Sequence, residues 1–188
     1  MNFFCDKCGL TLYQRLYNML IKKKDKISGS IVVVYNGRVL LSKRSSNCSF
    51  TGYYQCPGGK IEYGEEIKEG LLRELKEETG LKNIQESRLE FLFINKKHPS
   101  AWEHHLYRLD LRPGEKTKIE NTEPEKNDGG WLFIKPENAL RLKLMPSLRG
   151  PLQEIVDENK RKEEQQKKDL EDLGLNLEIV ETLKNLKL

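Results

Sequence analysis

Three glutamates, Glu74, Glu77 and Glu78, stand at i, i+3 and i+4. On a helix this spacing puts all three carboxylates on one face, where they repel one another and disfavour an isolated helix. A rigid face of oxygen ligands suits a hard divalent cation. Mg²⁺ prefers such ligands and commonly bridges carboxylates to substrate phosphates. Just upstream, Gly58 and Gly59 lack Cβ atoms and let the backbone approach a ligand closely. The plainer interpretation is a solvated Glu/Lys-rich helix with i,i+4 ion pairs, and on these residues alone it would prevail.

The elements that must hold these groups are legible in the pattern. Glu65–Thr79 is rich in helix formers, carries an apolar stripe at Ile67, Leu71 and Leu75, and stops at Gly80, a natural C-terminal cap. Ser30–Tyr35 is a β-branched run, Asn36–Gly37 a hairpin turn signal, and Arg38–Ser42 the returning strand. Tyr53–Cys56, Leu89–Ile94, His105–Leu111 and Trp131–Ile134 read as further strands, and Pro136–Leu140 as a helical turn. Ser45–Phe50 and Arg112–Asn127 read as polar loops, and Leu10–Lys24 and Leu175–Leu186 have helical apolar spacing. Short strands around one or two helices imply a layered α/β domain. The division expected is a basic extension at 1–27, a domain at 28–152, and a charged helical tail at 153–188.

The segment from Gly59 to Leu81 resembles the Nudix box, Gly-x5-Glu-x7-Arg-Glu-U-x-Glu-Glu-x-Gly-U, with U a bulky aliphatic residue. Gly59, Glu65, Arg73, Glu74, Leu75, Glu77, Glu78, Gly80 and Leu81 match every specified position. Cys56-Pro57-Gly58-Gly59-Lys60-Ile61-Glu62 also looks like family sequence, and the likeness extends over roughly 28–152. Gly70 departs from relatives that carry Ala, at about 1 kcal/mol of helix stability.

The resemblance implies an α/β/α sandwich with a mixed sheet, and a hydrolase of nucleoside diphosphate derivatives using Mg²⁺, with Mn²⁺ able to substitute. It implies Glu77 and Glu78 as main metal ligands, Glu74 as ligand or general base, and the Gly58 carbonyl as a further ligand. Arg73 and Glu65 would orient the carboxylates. Family members also use a carboxylate from a later loop; Glu125 is the first candidate and Glu123 the second. The stretch Asn121–Asn127 followed by Trp131 is similar to MutT-like nucleoside triphosphate pyrophosphatases. Lys60, Trp102 and Tyr107 are the substrate-binding candidates, the two rings being able to stack on a base. His98, His104 and His105 cluster around Trp102.

The leading expectation is cleavage of a nucleoside triphosphate to monophosphate and pyrophosphate, as in nucleotide-pool sanitation. RNA 5′-end decapping and a non-catalytic Nudix binding module are the alternatives. RNA is suggested by the basic residues 1–27, six Lys/Arg against two Asp/Glu, since cationic extensions bind phosphate backbones. Cys5-Asp-Lys-Cys8 is half of a zinc ribbon, and zinc wants four ligands; a site made within one chain or across a homodimer would complete it, and free thiols are the plainer reading. Nothing approaches the ~18 apolar residues of a membrane span, and no signal peptide is evident. A cytoplasmic setting with reduced cysteines is therefore the expectation.

Overall fold

The computed structural model describes residues 27–96, 103–116 and 119–172. The Cys5/Cys8 pair, the helical segments expected at Leu10–Lys24 and Leu175–Leu186, His98 and Trp102 lie outside them.

Strand β1 (Ile27–Tyr35) turns into β2 (Arg38–Arg44). Asn36 and Gly37 have φ of 48° and 67°, the pair of left-handed residues that a tight hairpin between twisted strands requires. The two strands then diverge: β1 pairs with β2 only at Val34↔Val39 and Tyr35↔Arg38. The chain from β3 (Tyr54–Gln55) to β4 (Gly58–Lys60) fills the fork. β3 pairs with β2 at Ser42 and Lys43, and β4 pairs with β1 at Ser28–Ser30. At the crossing, Ile31 donates its N–H to the Pro57 carbonyl at 2.8 Å.

The box helix α1 (Ile67–Thr79) follows and closes with Gly80 at φ 71°. Beyond it come β5 (Glu90–Asn95), β6 (Glu103–Asp110) and β7 (Asn127–Ile134). The turn α2 (Pro136–Ala139) leads to the long helix α3 (Arg149–Asp172). The sheet runs β3-β2-β1-β6-β5, with β7 on β2. β1 and β6 are parallel and the other pairs antiparallel, so the sheet is mixed.

Successive β1 residues face opposite ways. Ile31 and Val33 pack with Leu71 and Leu75 of α1, together with Tyr107 and Leu109. Val32 and Val34 pack with Leu152 and Ile155 of α3, together with Leu106. One helix on each face makes an α/β/α sandwich. The expected division at 152/153 falls inside α3, whose buried Leu152, Ile155 and Val156 straddle it. α3 is clamped further out by Asn159, which donates to the Gly37 carbonyl at 2.9 Å, and by Glu158, which pairs with Arg108 at 2.6 Å. The strand signals at Tyr53–Cys56 and Trp131–Ile134 are one short and one long, respectively. β7 begins four residues earlier, because Asn127 and Asp128 pair with Arg44 and Lys43.

Candidate active site

Burying Leu71 and Leu75 completely fixes the rotation of α1, so Glu74 and Glu78 turn toward β4. Glu78 is 5% exposed. Its Oε2 accepts the Gly58 N–H at 2.8 Å, and its backbone carbonyl accepts Trp131 Nε1–H at 2.9 Å. Burial pushes its carboxyl up to about 8, against the Gly58 hydrogen bond, with Glu74 and Glu123 adding repulsion. Glu74 lies against Gly59: a Cβ there would stand 2.4 Å from the Glu74 carboxyl carbon. Burial raises Glu74 also, opposed by Arg73.

The close approach provided by the two glycines is thus internal to the protein. At Gly58, φ is 151° and a Cβ would meet the Gly29 carbonyl oxygen at 2.2 Å. Gly58 presses on β1, and Gly59 makes room for a carboxylate.

Arg73 ties the site together. It holds Glu65 with Nε at 2.7 Å and Nη2 at 3.1 Å. Nη1 reaches Glu74 at 2.9 Å and Glu77 at 3.1 Å, and Nη2 also donates to the Lys60 carbonyl at 3.0 Å. Glu65 precedes the helix, which begins at Ile67. Its Oε2 accepts the Glu62 N–H at 2.9 Å, and Arg73 holds its carboxyl below the usual range. One guanidinium therefore couples the loop to two carboxylates of α1.

The loop before β7 docks on the end of α1. The Glu120 N–H donates to the Thr79 carbonyl at 2.9 Å, and the Thr122 hydroxyl donates to the Glu77 carbonyl. Within this loop the two carboxylate candidates part company. Glu125 is exposed and meets the body through its carbonyl, which accepts the Ser45 hydroxyl at 2.6 Å. Glu123 is the one that acts on Glu78. The structure sets the two apart, Glu123 facing the carboxylates of α1 and Glu125 facing solvent. A turn closed by Lys126 N–H to Glu123 O at 3.0 Å sends Glu125 outward. Glu123 Oε1 pairs with Lys126 Nζ at 2.6 Å, and its Oε2 is buried with no hydrogen-bond partner.

Among the described residues no three His, Cys, Asp or Glu side chains converge at ligating distance. Arg73 draws Glu74 and Glu77 aside, and Gly58 engages Glu78. The donor chemistry nevertheless fits magnesium. It is all oxygen, and Glu123 Oε2 is an orphaned buried acceptor of the kind that calls for an ion or donor. Glu74, Glu77, Glu78, Glu123 and the Gly58 carbonyl are the groups that could hold it.

A cleft of about 190 Å³ opens beside β4 on the α3 side of the sheet, with Gly58 and Gly59 in its wall. Ser28, Arg44, Phe50, Gln55, His104 and Met145 also line it. Ser28 Oγ lies 2.9 Å from His104 Nδ1. Arg44 donates to Gln55 Oε1 and to the Ser49 carbonyl, and Gln55 Nε2 donates to Asn127 Oδ1 at 3.2 Å. Of these residues only His104 stood out in the sequence. Alternation along β2 gives Arg44 a face but not its neighbours, and only the pairing of β2 with β3 brings it to Gln55 and this cleft. Tyr107 is not at this cleft. It lies under α1 in the opposite core, edge-on to Phe91 at 5.5 Å between centroids. The Lys60 side chain is exposed.

Comparison with known proteins gives the family. The family model for the NUDIX domain matches residues 26–155, and the chain belongs to the Nudix family. It is 35% identical to an ADP-ribose pyrophosphatase of Methanocaldococcus jannaschii, over 39% of this chain and 49% of that one. It is 28% identical to the 8-oxo-dGTP diphosphatase of Escherichia coli, over 62% of this chain and 86% of that one. The chain spans about half the length of the curated relatives matched first. The MutT Nudix hydrolase structure from Burkholderia pseudomallei superimposes with a TM-score of 0.52 at 25% identity, covering 68% of this chain and 95% of that one. The chain is thus MutT-like within its family, and the sandwich is the family's fold. No helix among the described residues is long and apolar enough to cross a membrane.

Proposed function

We propose that the protein is a magnesium-dependent pyrophosphohydrolase of nucleoside triphosphates, releasing the monophosphate and pyrophosphate. The observation that carries this is the shared wall. Gly58 and Gly59 line the cleft and at the same time touch Glu78 and Glu74. A base seated between β1, β4 and Met145 would direct its phosphates over the two glycines to the carboxylates. Relatives described as an 8-oxo-dGTP diphosphatase and a CTP pyrophosphohydrolase support a triphosphate over other diphosphate derivatives.

When bound, magnesium supplies neutralisation of the phosphate charge and a more acidic water. The chain's own residues supply the rest. Glu77, Glu78 and Glu123 hold negative charge in place, and Arg73 keeps Glu65, Glu74 and Glu77 in register. Glu74, whose carboxylate burial makes more basic, takes the proton of the attacking water. Attack falls on the β-phosphorus, and the nucleoside monophosphate leaves.

The test is hydrolysis of a nucleoside triphosphate panel with Mg²⁺ in ¹⁸O-water, with mass spectrometry of both products. Label in pyrophosphate is expected. Label in the monophosphate would mean attack at the α-phosphorus, and release of orthophosphate with a nucleoside diphosphate would overturn the reading.

A further inference from the structure

Lys126 brings an ammonium group to the carboxylates of the site. Its Nζ stands 2.6 Å from Glu123 Oε1, and the fields of Glu78 and Glu74 reach it as well. The backbone under it is fixed: its N–H donates to the Glu123 carbonyl at 3.0 Å, and its carbonyl accepts the Ser45 N–H at 2.9 Å. The side chain is half exposed, so a fixed base carries a long stem whose end can swing. Arg73, the other cation of the site, is held by Glu65, Glu74, Glu77 and a carbonyl together, and cannot leave without breaking several bonds.

A single ammonium does not satisfy this site. It pairs with one oxygen of Glu123 and leaves the other buried without a partner. A divalent cation would serve both oxygens and Glu78, and would repel the ammonium. The ion and the ammonium repel at this range, and a polyphosphate beside the site offers the mobile ammonium another anionic partner.

We propose that Lys126 occupies the cation position between Glu123 and Glu78 in the metal-free protein and is displaced by the divalent ion onto the polyphosphate of the substrate. The inference rests on the metal-dependent reading above. It makes Lys126 a substrate-positioning residue that couples metal binding to phosphate binding, since the ion both vacates and delivers the ammonium.

Mn²⁺ binding to the full-length protein without nucleotide, followed by electron paramagnetic resonance, separates the possibilities. Lys126→Gln should bind Mn²⁺ about fivefold more tightly or better than wild type, the lower end of usual coupling between sites. Lys126→Arg should stay close to wild type. Unchanged or weaker binding by a folded Lys126→Gln overturns the inference.

A second measurement needs no variant. Acylation of amines in the wild-type protein, read by peptide mass spectrometry, should label Lys126 faster once Mg²⁺ is added. Inorganic tripolyphosphate with excess Mg²⁺ should then protect it. No acceleration by Mg²⁺, or acceleration without protection, overturns the displacement or the phosphate contact respectively. Glu78→Gln distinguishes this failure from a deeper one. If wild type has no Mn²⁺ site that Glu78→Gln removes, the metal-dependent reading falls together with this inference. If such a site exists but ignores Lys126, this inference alone falls.

Discussion

The Gly58 N–H donates to Glu78 Oε2 at 2.8 Å and so joins β4 to the last turn of α1. Glutamine at position 78 keeps the acceptor and the volume but removes the charge. Turnover of Glu78→Gln should fall about 100-fold or more, the scale of losing a key electrostatic stabiliser. Its melting temperature in the absence of metal should hold or rise at neutral pH, because the fold no longer buries a carboxyl that ionises more readily when unfolded. Steady-state kinetics beside a thermal melt would check both. Near-normal turnover by a folded variant would remove Glu78 from the site.

The two glycines of β4 should respond differently to alanine. At Gly58 the new Cβ meets backbone, the Gly29 oxygen at 2.2 Å and Ser30 Cα at 2.5 Å, so the strand itself must move. Gly58→Ala should lose about 3 kcal/mol or more in chemical denaturation. At Gly59 the new Cβ meets the Glu74 carboxylate, a side chain that can rotate away. Gly59→Ala should melt within a few degrees of wild type yet lose most of its turnover. Equal stability losses at the two positions would contradict this division.

Tyr107 separates a core role from a binding role. Its ring is packed under α1 with Phe91 edge-on and is 8% exposed. Tyr107→Leu should cost about 2 kcal/mol, as for a large-to-small change in a core, with KM for nucleotide unchanged. A raised KM at unaltered stability would return the ring to the substrate.

The pair between β6 and α3 sets an acid limit. Arg108 and Lys162 hold the Glu158 carboxyl down at about 2, below the ordinary value of about 4.3 for an unfolded chain. A depressed carboxylate stabilises the fold above its unfolded value, and that contribution is lost as pH falls from about 4.3 through 2. Glu158→Gln should therefore lower the melting temperature at pH 7 by about 2–4 °C, the equivalent of roughly 1 kcal/mol for a partly exposed pair. Below pH 2 the two proteins should melt together. A difference that persists there would assign the effect to packing instead.

The sequence by itself determined the elements whose signals are local. Glutamates at i, i+3 and i+4 beside the stripe Ile67, Leu71 and Leu75 define a helix, its buried face and its charged face, because both follow from one period. Asn36–Gly37 defines the hairpin, because few other residues accept two left-handed conformations in a row. Tertiary structure decided everything that depends on how separate segments meet. Glu123 and Glu125 are equivalent in composition, and a turn closed at Lys126 set one toward Glu78 and the other toward solvent. Tyr107 and His104 both sit on β6, and the odd–even alternation of a strand paired in register with β1 sent one under α1 and the other to the cleft. The pairing of β2 with β3 placed Arg44 beside Gln55 at that cleft. A sequence period gives a side chain's direction relative to its own axis; strand register, bulges and docked loops determine what it then faces.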